Sequence, residues 1–236
     1  IAERELEKAV LENGAKKGAV ILMDPMTGEI LALANYPSFD PNHYAQYPAA
    51  NRRNWVLVDQ FEPGSTFKIV TAAAALEEGL VRRDSRFFDP GYIVVEDRRL
   101  KCWRAGGHGS QTFVEAVENS CNPVFMEVAL RLGQERFDEY IRAFGFGQKT
   151  GVDIIGEELG LVRDKSQVKN VDLARIGFGQ SIAVTPLQLI TAASAVINGG
   201  YLMEPHLAKE FRDEDGRLIE SIQPRKVRQV ISKETS

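Results

Sequence analysis

Cysteine is scarce in this chain. Cys102 and Cys121 are the only two among 236 residues, which excludes a small scaffold held together by several disulfides. Histidine is nearly as rare: His43, His108 and His206 are dispersed, without metal-ligand spacing or a zinc-type cysteine pair beside them. They are assigned to surface or packing roles, and no metal or other cofactor is expected. No apolar run reaches the roughly 18 residues that a membrane-crossing helix needs, and the opening Ile-Ala-Glu-Arg-Glu forms no signal peptide. Any targeting segment is therefore expected outside this chain. There is no excess of positive charge either: 29 Lys and Arg stand against 33 Asp and Glu, a net charge of -4, which argues against nucleic acid as a partner.

What remains is a balanced composition, 44% hydrophobic and 26% charged, suited to one globular domain over residues 1–236 with a sizeable core. Both ends read as cut, since Ala2 opens in mid-helix and Ile231 to Ser236 reads as the start of another helix, so a fragment of a longer protein is expected.

The most informative stretch is Glu62-Pro63-Gly64-Ser65-Thr66-Phe67-Lys68. Pro63 and Gly64 break the chain, and Ser65 to Glu78 then reads as an alanine-rich helix closed by Gly79. Residues three apart share a helix face with roughly 5–6 Å between Cβ atoms, so Lys68 is expected beside the Ser65 hydroxyl as a built-in base. An ordinary lysine of pKa about 10.4 is neutral in under about 0.1% of molecules at pH 7, and moving that pKa to about 7 takes roughly 4.6 kcal/mol. Burial in a cleft is thus implied. Spacing alone leaves chance open: Ser-x-x-Lys arises about once in a chain of this length. It recurs at Ser166-Gln167-Val168-Lys169, in a polar stretch with no apolar helix behind it, and is set aside there.

Along the chain, Ala2 to Asn13 reads as an amphipathic helix with Leu6, Val10 and Leu11 on one side, packed on a sheet. Gly18 to Met23 and Glu29 to Asn35 read as antiparallel strands, and Pro37 to Gln60 as a long wrapped loop. A small hairpin is expected at Tyr92–Val95 and Arg99–Trp103, and short helices at Gln111–Glu118, Pro123–Leu132 and Glu135–Phe144. Thr185 should cap a helix from Pro186 to Val196, and Leu207–Phe211 with Arg217–Ile222 should form a last hairpin. Strands at both ends with helices between them indicate a mixed α/β (α+β) fold. Trp55 and Trp103 read as packing residues, Trp103 being able to wall a site beside Cys102.

Between the helices expected at Gln111–Glu118 and Pro123–Leu132 stands Asn119-Ser120-Cys121-Asn122-Pro123, a break expected to lift Ser120 and Asn122 out of regular structure. A hydroxyl there can relay a proton to a leaving amine, and a carboxamide can hold a substrate amide. Alone, the same letters describe a helix break stabilised by its own side chains.

Ser65-Thr66-Phe67-Lys68 and Ser120-Cys121-Asn122, with Asp24–Pro37, Gly107–Phe125, Phe144–Asp153 and Gly179–Leu189 around them, resemble the transpeptidase domain of class B penicillin-binding proteins. The resemblance implies their fold, a helical cluster packed on an antiparallel sheet and related to serine β-lactamases. It implies a D,D-transpeptidase that cross-links peptidoglycan stem peptides ending in D-Ala-D-Ala and is acylated by β-lactams. Ser65 would be the nucleophile, Lys68 its base, Ser120 the proton relay and Asn122 a substrate binder. A glycosyltransferase partner and attachment to the outer face of the cell membrane, through an N-terminal anchor outside this chain, come with the resemblance. A serine β-lactamase is the enzymatic rival, disfavoured because the Glu-x-x-x-Asn spacing occurs only around the second motif, at Glu115–Asn119 and Glu118–Asn122, and not in an omega-loop segment; a non-catalytic β-lactam sensor or scaffold is the rival from another class.

The family's third motif, Lys-Thr-Gly on an edge strand, is matched in letters by Lys149-Thr150-Gly151. That copy follows a glycine-spaced loop and adjoins no strand run, so it is rejected, and the true motif is expected beyond Ser236. The fold should then be incomplete at its C-terminus, with an exposed sheet edge and a substrate anchor and oxyanion donor to be supplied from elsewhere. The chain alone should be impaired, because one such donor typically accounts for about 10²–10³ in rate. Since family proteins work where disulfides form, Cys102 and Cys121 are a candidate redox pair whose bond would distort the catalytic loop. The same pair points to the sporulation branch of the family.

Overall fold

The structure, a computed structural model, describes residues 1–236. Leu6 and Val10, four apart on an amphipathic segment, are the buried residues of α1 (Ala2–Glu12), whereas Leu11 stays exposed. The helix lies over β1 (Gly18–Met23) and β2 (Ile30–Tyr36), an antiparallel pair. Contact is close because Gly18 has no side chain: a Cβ there would meet Val10 at 2.7 Å. The two-residue alternation of a strand sends Ala34 toward Leu6 and Val10 and Ala19, Ile21 and Leu33 toward Val56, Leu57 and Leu187. The expected loop 37–60 contains two 3-10 turns and a single helical turn, α2 (Trp55–Val58). Val56 and Leu57 are essentially inaccessible, so this segment belongs to the packing rather than merely wrapping it.

A 3-10 turn at Gly64–Phe67 then leads into α3 (Lys68–Glu77). Next come the short strands β3 (Arg86–Asp89), β4 (Tyr92–Val95), β5 (Arg98–Lys101) and β6 (Gly109–Thr112), followed by α4 (Phe113–Glu118), α5 (Asn122–Leu132) and α6 (Gln134–Ala143). The β4–β5 hairpin was legible, but β3 and β6 were not: each has four residues, and they are antiparallel partners across about twenty residues of chain. Pairing with β3 also takes Gln111 and Thr112 out of the helix expected there. Thr112 instead caps α4 in a reciprocal capping box with Glu115.

The remaining elements are α7 (Asn170–Ile176), α8 (Pro186–Ile197), β7 (Tyr201–Met203), β8 (Glu210–Arg212), β9 (Leu218–Ser221) and β10 (Lys226–Gln229). Thr185 caps α8 as its sequence indicates, in a capping box with Gln188. α7 and the β7–β10 pair were not anticipated. Nor is there a helix after Ile231: Ile231 is buried, and Ser232 turns back to hydrogen-bond Glu77. The strands form five two-stranded antiparallel ribbons, while the main core is the helical cluster in which α3 packs against α5, α6 and α8. Phe67 anchors it, fully buried, with ring centroids 5.2 Å from Phe146 and 6.5 Å from Phe137. No helix is long and apolar enough to cross a membrane.

Candidate active site

The turn that carries Ser65 is shaped by two glycines that touch. Gly64 has φ 57°, a left-handed conformation that glycine adopts without penalty, and its N–H donates to Gly179 O at 2.9 Å. A Cβ on Gly179 would meet Gly64 O at 2.1 Å, so no other residue fits. Glu62 accepts from the Ser181 N–H at 2.8 Å, and Phe61 bridges Val184. Thr71 Oγ1 donates to Gly177 O at 2.9 Å. Held at these points and anchored by Phe67, the turn leaves Ser65 exposed while Lys68, one turn on, is only 5% exposed.

The other side of the site is the α4–α5 junction. Ser120 there has φ 49°, an uncommon conformation for a residue with a side chain. Asn122 is not outside regular structure as expected: it is the first residue of α5, followed by Pro123 in a first-turn position that proline favours. The three ammonium protons of Lys68 are directed to Ser120 O at 2.7 Å, Ser120 Oγ at 2.9 Å and Asn122 Oδ1 at 2.7 Å. Ser120 Oγ donates in turn to Ser65 Oγ at 3.0 Å. The link between Ser65 and Lys68 therefore runs through Ser120 rather than directly. Burial pushes the Lys68 pKa down to about 8, with the nearby thiols Cys121 and Cys102 acting in the opposite direction. Phe125 lies under the ammonium, 5.3 Å from Nζ to the ring centroid, and so favours its charged form. Ser65, Lys68 and Ser120 line one cavity of about 240 Å³, walled on its apolar side by Ile69, Leu76 and Val117.

Four residues singled out by sequence thus meet at one place. A hydroxyl at the mouth of a cavity, relayed through a second hydroxyl to an amine of lowered pKa, can act as a nucleophile once the amine is neutral. A family model of the penicillin binding protein transpeptidase domain matches residues 18–236. The chain belongs to this family.

Among relatives of this transpeptidase domain, stage V sporulation protein D of Bacillus subtilis (strain 168) is 45% identical over 240 residues, covering 100% of this chain and 37% of the relative. Peptidoglycan D,D-transpeptidase MrdA of Escherichia coli (strain K12) is 32% identical, over 88% of this chain and 36% of that protein. The chain spans little more than a third of the curated relatives it matches. Penicillin binding protein 3 of Mycobacterium tuberculosis, solved with aztreonam, superposes with a TM-score of 0.91 at 31% identity, over 99% of this chain and 52% of that one. The transpeptidase fold expected from sequence is therefore the fold observed.

Lys149-Thr150-Gly151 is placed apart from the cavity. The N–H groups of Thr150 and Gly151 donate to the Glu157 carboxylate at 2.6 and 3.2 Å, in a loop beside α8 and β7. In the second Ser-x-x-Lys, Ser166 and Gln167 lie in an exposed 3-10 turn and Lys169 is the N-cap residue of α7. Two residues were under-read. Trp103, taken as packing, is 64% exposed, and its indole N–H is shared between Asn119 O and Ser120 O, both at 3.1 Å. His108, taken as a surface or packing residue with no cysteine partner, is buried against Asp89 and within 3.5 Å of Cys102 Sγ. Cys102 and Cys121 are both free thiols here. Burial pushes the Cys121 thiol up to about 12, reinforced by Asp89.

Proposed function

We propose that this domain is a serine D,D-transpeptidase of peptidoglycan synthesis. The observation that carries the reading is the continuous path Lys68 Nζ, Ser120 Oγ, Ser65 Oγ, opening into a cavity. With Lys68 neutral, the path reverses polarity: Ser65 passes its proton to Ser120 as Ser120 passes its own to Lys68. Ser65 Oγ then attacks the carbonyl between the two D-alanines of a stem peptide. The leaving D-alanine takes a proton back through Ser120, and an amine of a neighbouring stem resolves the ester. Asn122, positioned by its bond to Lys68, binds the donor peptide amide. β-Lactams enter as mimics of the same amide, a reading supported by the aztreonam complex of the M. tuberculosis relative. The likeness to a stage V sporulation protein favours a role in spore cortex synthesis, outside the cytoplasmic membrane and alongside a glycosyltransferase.

The test is intact-protein mass spectrometry after exposure to penicillin. One adduct per chain is expected, and none on Ser65→Ala; an adduct retained by the variant would refute the nucleophile. Release of the adduct within minutes would favour a β-lactamase over a transpeptidase.

A redox function for Cys102 and Cys121 belongs to the same proposal. Their sulfurs lie within 4.8 Å of one another, and Cys121 separates Ser120 from Asn122. Disulfide formation, with loss of two protons and two electrons to a thiol oxidant, would pull the junction away from Lys68. Equal penicillin acylation of the reduced and oxidised protein would dismiss it.

A further inference from the structure

Register brings four separated side chains to one point. In the β3–β6 ladder Asp89 faces Gly109, which sets His108 beside the Asp89 carboxylate. The approach requires glycine, since a Cβ on Gly107 would meet Asp89 O and Gly91 N at 2.3 Å. The β4–β5 hairpin returns the chain to its own start, where the Cys102 N–H donates to Gly91 O at 2.8 Å. Cys121 arrives from the α4–α5 junction. The ligating atoms of Asp89, Cys102, His108 and Cys121 all lie within 4.8 Å of one another. The side chains of Asp89 and His108 are 0% and 1% exposed, Cys121 is buried, and Cys102 alone is only partly covered.

The nearest pairs are His108 Nδ1 to Asp89 Oδ2 at 2.8 Å, Cys121 Sγ to Asp89 Oδ2 at 3.2 Å and Cys102 Sγ to His108 Nδ1 at 3.5 Å. A tetrahedral zinc site with Zn–S about 2.3 Å and Zn–N about 2.0–2.1 Å places its donors roughly 3.3–3.8 Å apart, which small side-chain rotations here would supply. Outer hydrogen bonds already orient the donors. Gly91 and His108 N–H groups hold the Asp89 carboxylate at 2.7 and 3.1 Å, and buried Gln111 donates to Cys121 Sγ at 3.2 Å. Such partners fix ligand orientation in metal sites. The His108 ring is held only through Nδ1, because its buried Nε2 has no hydrogen-bond partner. Asp89 is fully buried without a lysine or arginine ion pair, its one basic partner being His108, and such a carboxylate favours a cation.

We propose that Asp89, Cys102, His108 and Cys121 form a site for one Zn²⁺. The ion would be held by two thiolates, His108 Nδ1 and one Asp89 oxygen. Two sulfurs and an imidazole select zinc over the oxygen-seeking Mg²⁺ and Ca²⁺. On binding, both thiols give their protons to solvent and no electron moves. The ion braces the catalytic junction from behind, since Cys121 lies between Ser120 and Asn122 and Trp103, next to Cys102, holds Ser120 O. Chelation and disulfide formation are alternative fates of the same sulfurs, so zinc would guard the reduced form. The inference rests on the cluster's geometry and not on the acyl-serine reading.

The experiment is titration of the reduced, metal-free chain with Co²⁺, then with Zn²⁺. Expected are one equivalent bound, sulfur-to-cobalt charge-transfer absorption with the intense visible bands of a tetrahedral site, and displacement by one equivalent of Zn²⁺. Cys102→Ser and His108→Gln should each weaken Co²⁺ binding at least about tenfold. A readout free of substitutions covers the case in which a variant does not fold: Zn²⁺ should raise the unfolding temperature of the reduced protein and leave diamide-oxidised protein unchanged. The weak spectrum of hydrated Co²⁺, or equal Zn²⁺ uptake and thermal shift in both redox states, would overturn the site.

Discussion

Two polar clusters stand back to back across residues 120–122, and they differ in the charge each presents to its side chains. On one side Ser120 and Asn122 surround the Lys68 ammonium, next to a cavity and an exposed Ser65. On the other, Cys121 meets Asp89, whose carboxylate has no lysine or arginine ion pair. A thiol is intrinsically the better nucleophile, but only as thiolate. Burial and the Asp89 carboxylate hold Cys121 protonated, its pKa pushed up to about 12, while the hydroxyls on the far side have an amine of pKa about 8 to draw on. The face of the junction that a side chain occupies thus sets which charged group it meets.

Removing the cation should erase the contrast most completely. Lys68→Ala is expected to slow penicillin acylation about 10²–10⁴-fold, the usual range for loss of a general base, with rates read by gel fluorescence of a labelled penicillin. A value near wild type would transfer the base role elsewhere.

The pH profile sharpens the same point. Because Lys68 must be neutral and its pKa is lowered to about 8, acylation should rise about tenfold per unit up to pH 8 and then level off. A flat profile from pH 6 to 9 would contradict it. Stability carries the matching sign. Between about 8 and the ordinary lysine value of 10.5 the unfolded chain holds a proton that the folded chain does not, so this group makes the fold more stable as pH rises through that window.

A smaller effect is expected where the two clusters are tied together. Trp103→Phe keeps the ring and loses the N–H shared by Asn119 O and Ser120 O. One such bond contributes about 0.5–1.5 kcal/mol, and acylation should fall by a few fold. Smallest of all, Cys102→Ser in metal-free, reducing buffer should change acylation by less than about twofold, since Cys102 makes no hydrogen bond to Ser65 or Lys68; a larger loss would mean that the clusters are not separable.

Legibility in the sequence followed the range of the interactions. Ser65 and Lys68 are three apart on one helical turn, and Thr185 with Gln188 is a capping box written in four letters, so local rules suffice. Ser120 and Asn122 could be picked out by composition, but not the fact that Ser120 lies between Lys68 and Ser65, which depends on its left-handed backbone and a contact 55 residues away. β3 and β6 have four residues each and acquire meaning only by pairing. The neighbours of His108 were illegible for the same reason: Asp89 and Cys121 are 19 and 13 positions away, and only the ladder register and the α4–α5 junction bring them together. α7 is short and flanked by polar sequence, and its helix is stabilised mainly by packing on α5.

The contact of Gly64 with Gly179, beside the bond from Ser181 to Glu62 across 119 residues, bears on the order of assembly. Loops of this length close late, because the entropy of bringing their ends together must be met before the contact rewards it. While the chain is being synthesised, α3 can form as soon as Glu77 has emerged, yet the turn before it has nothing to lean on until residues 179–184 follow. The Ser65 turn is thus among the last features to take shape, and a partly made chain would carry the serine without the scaffold that holds it.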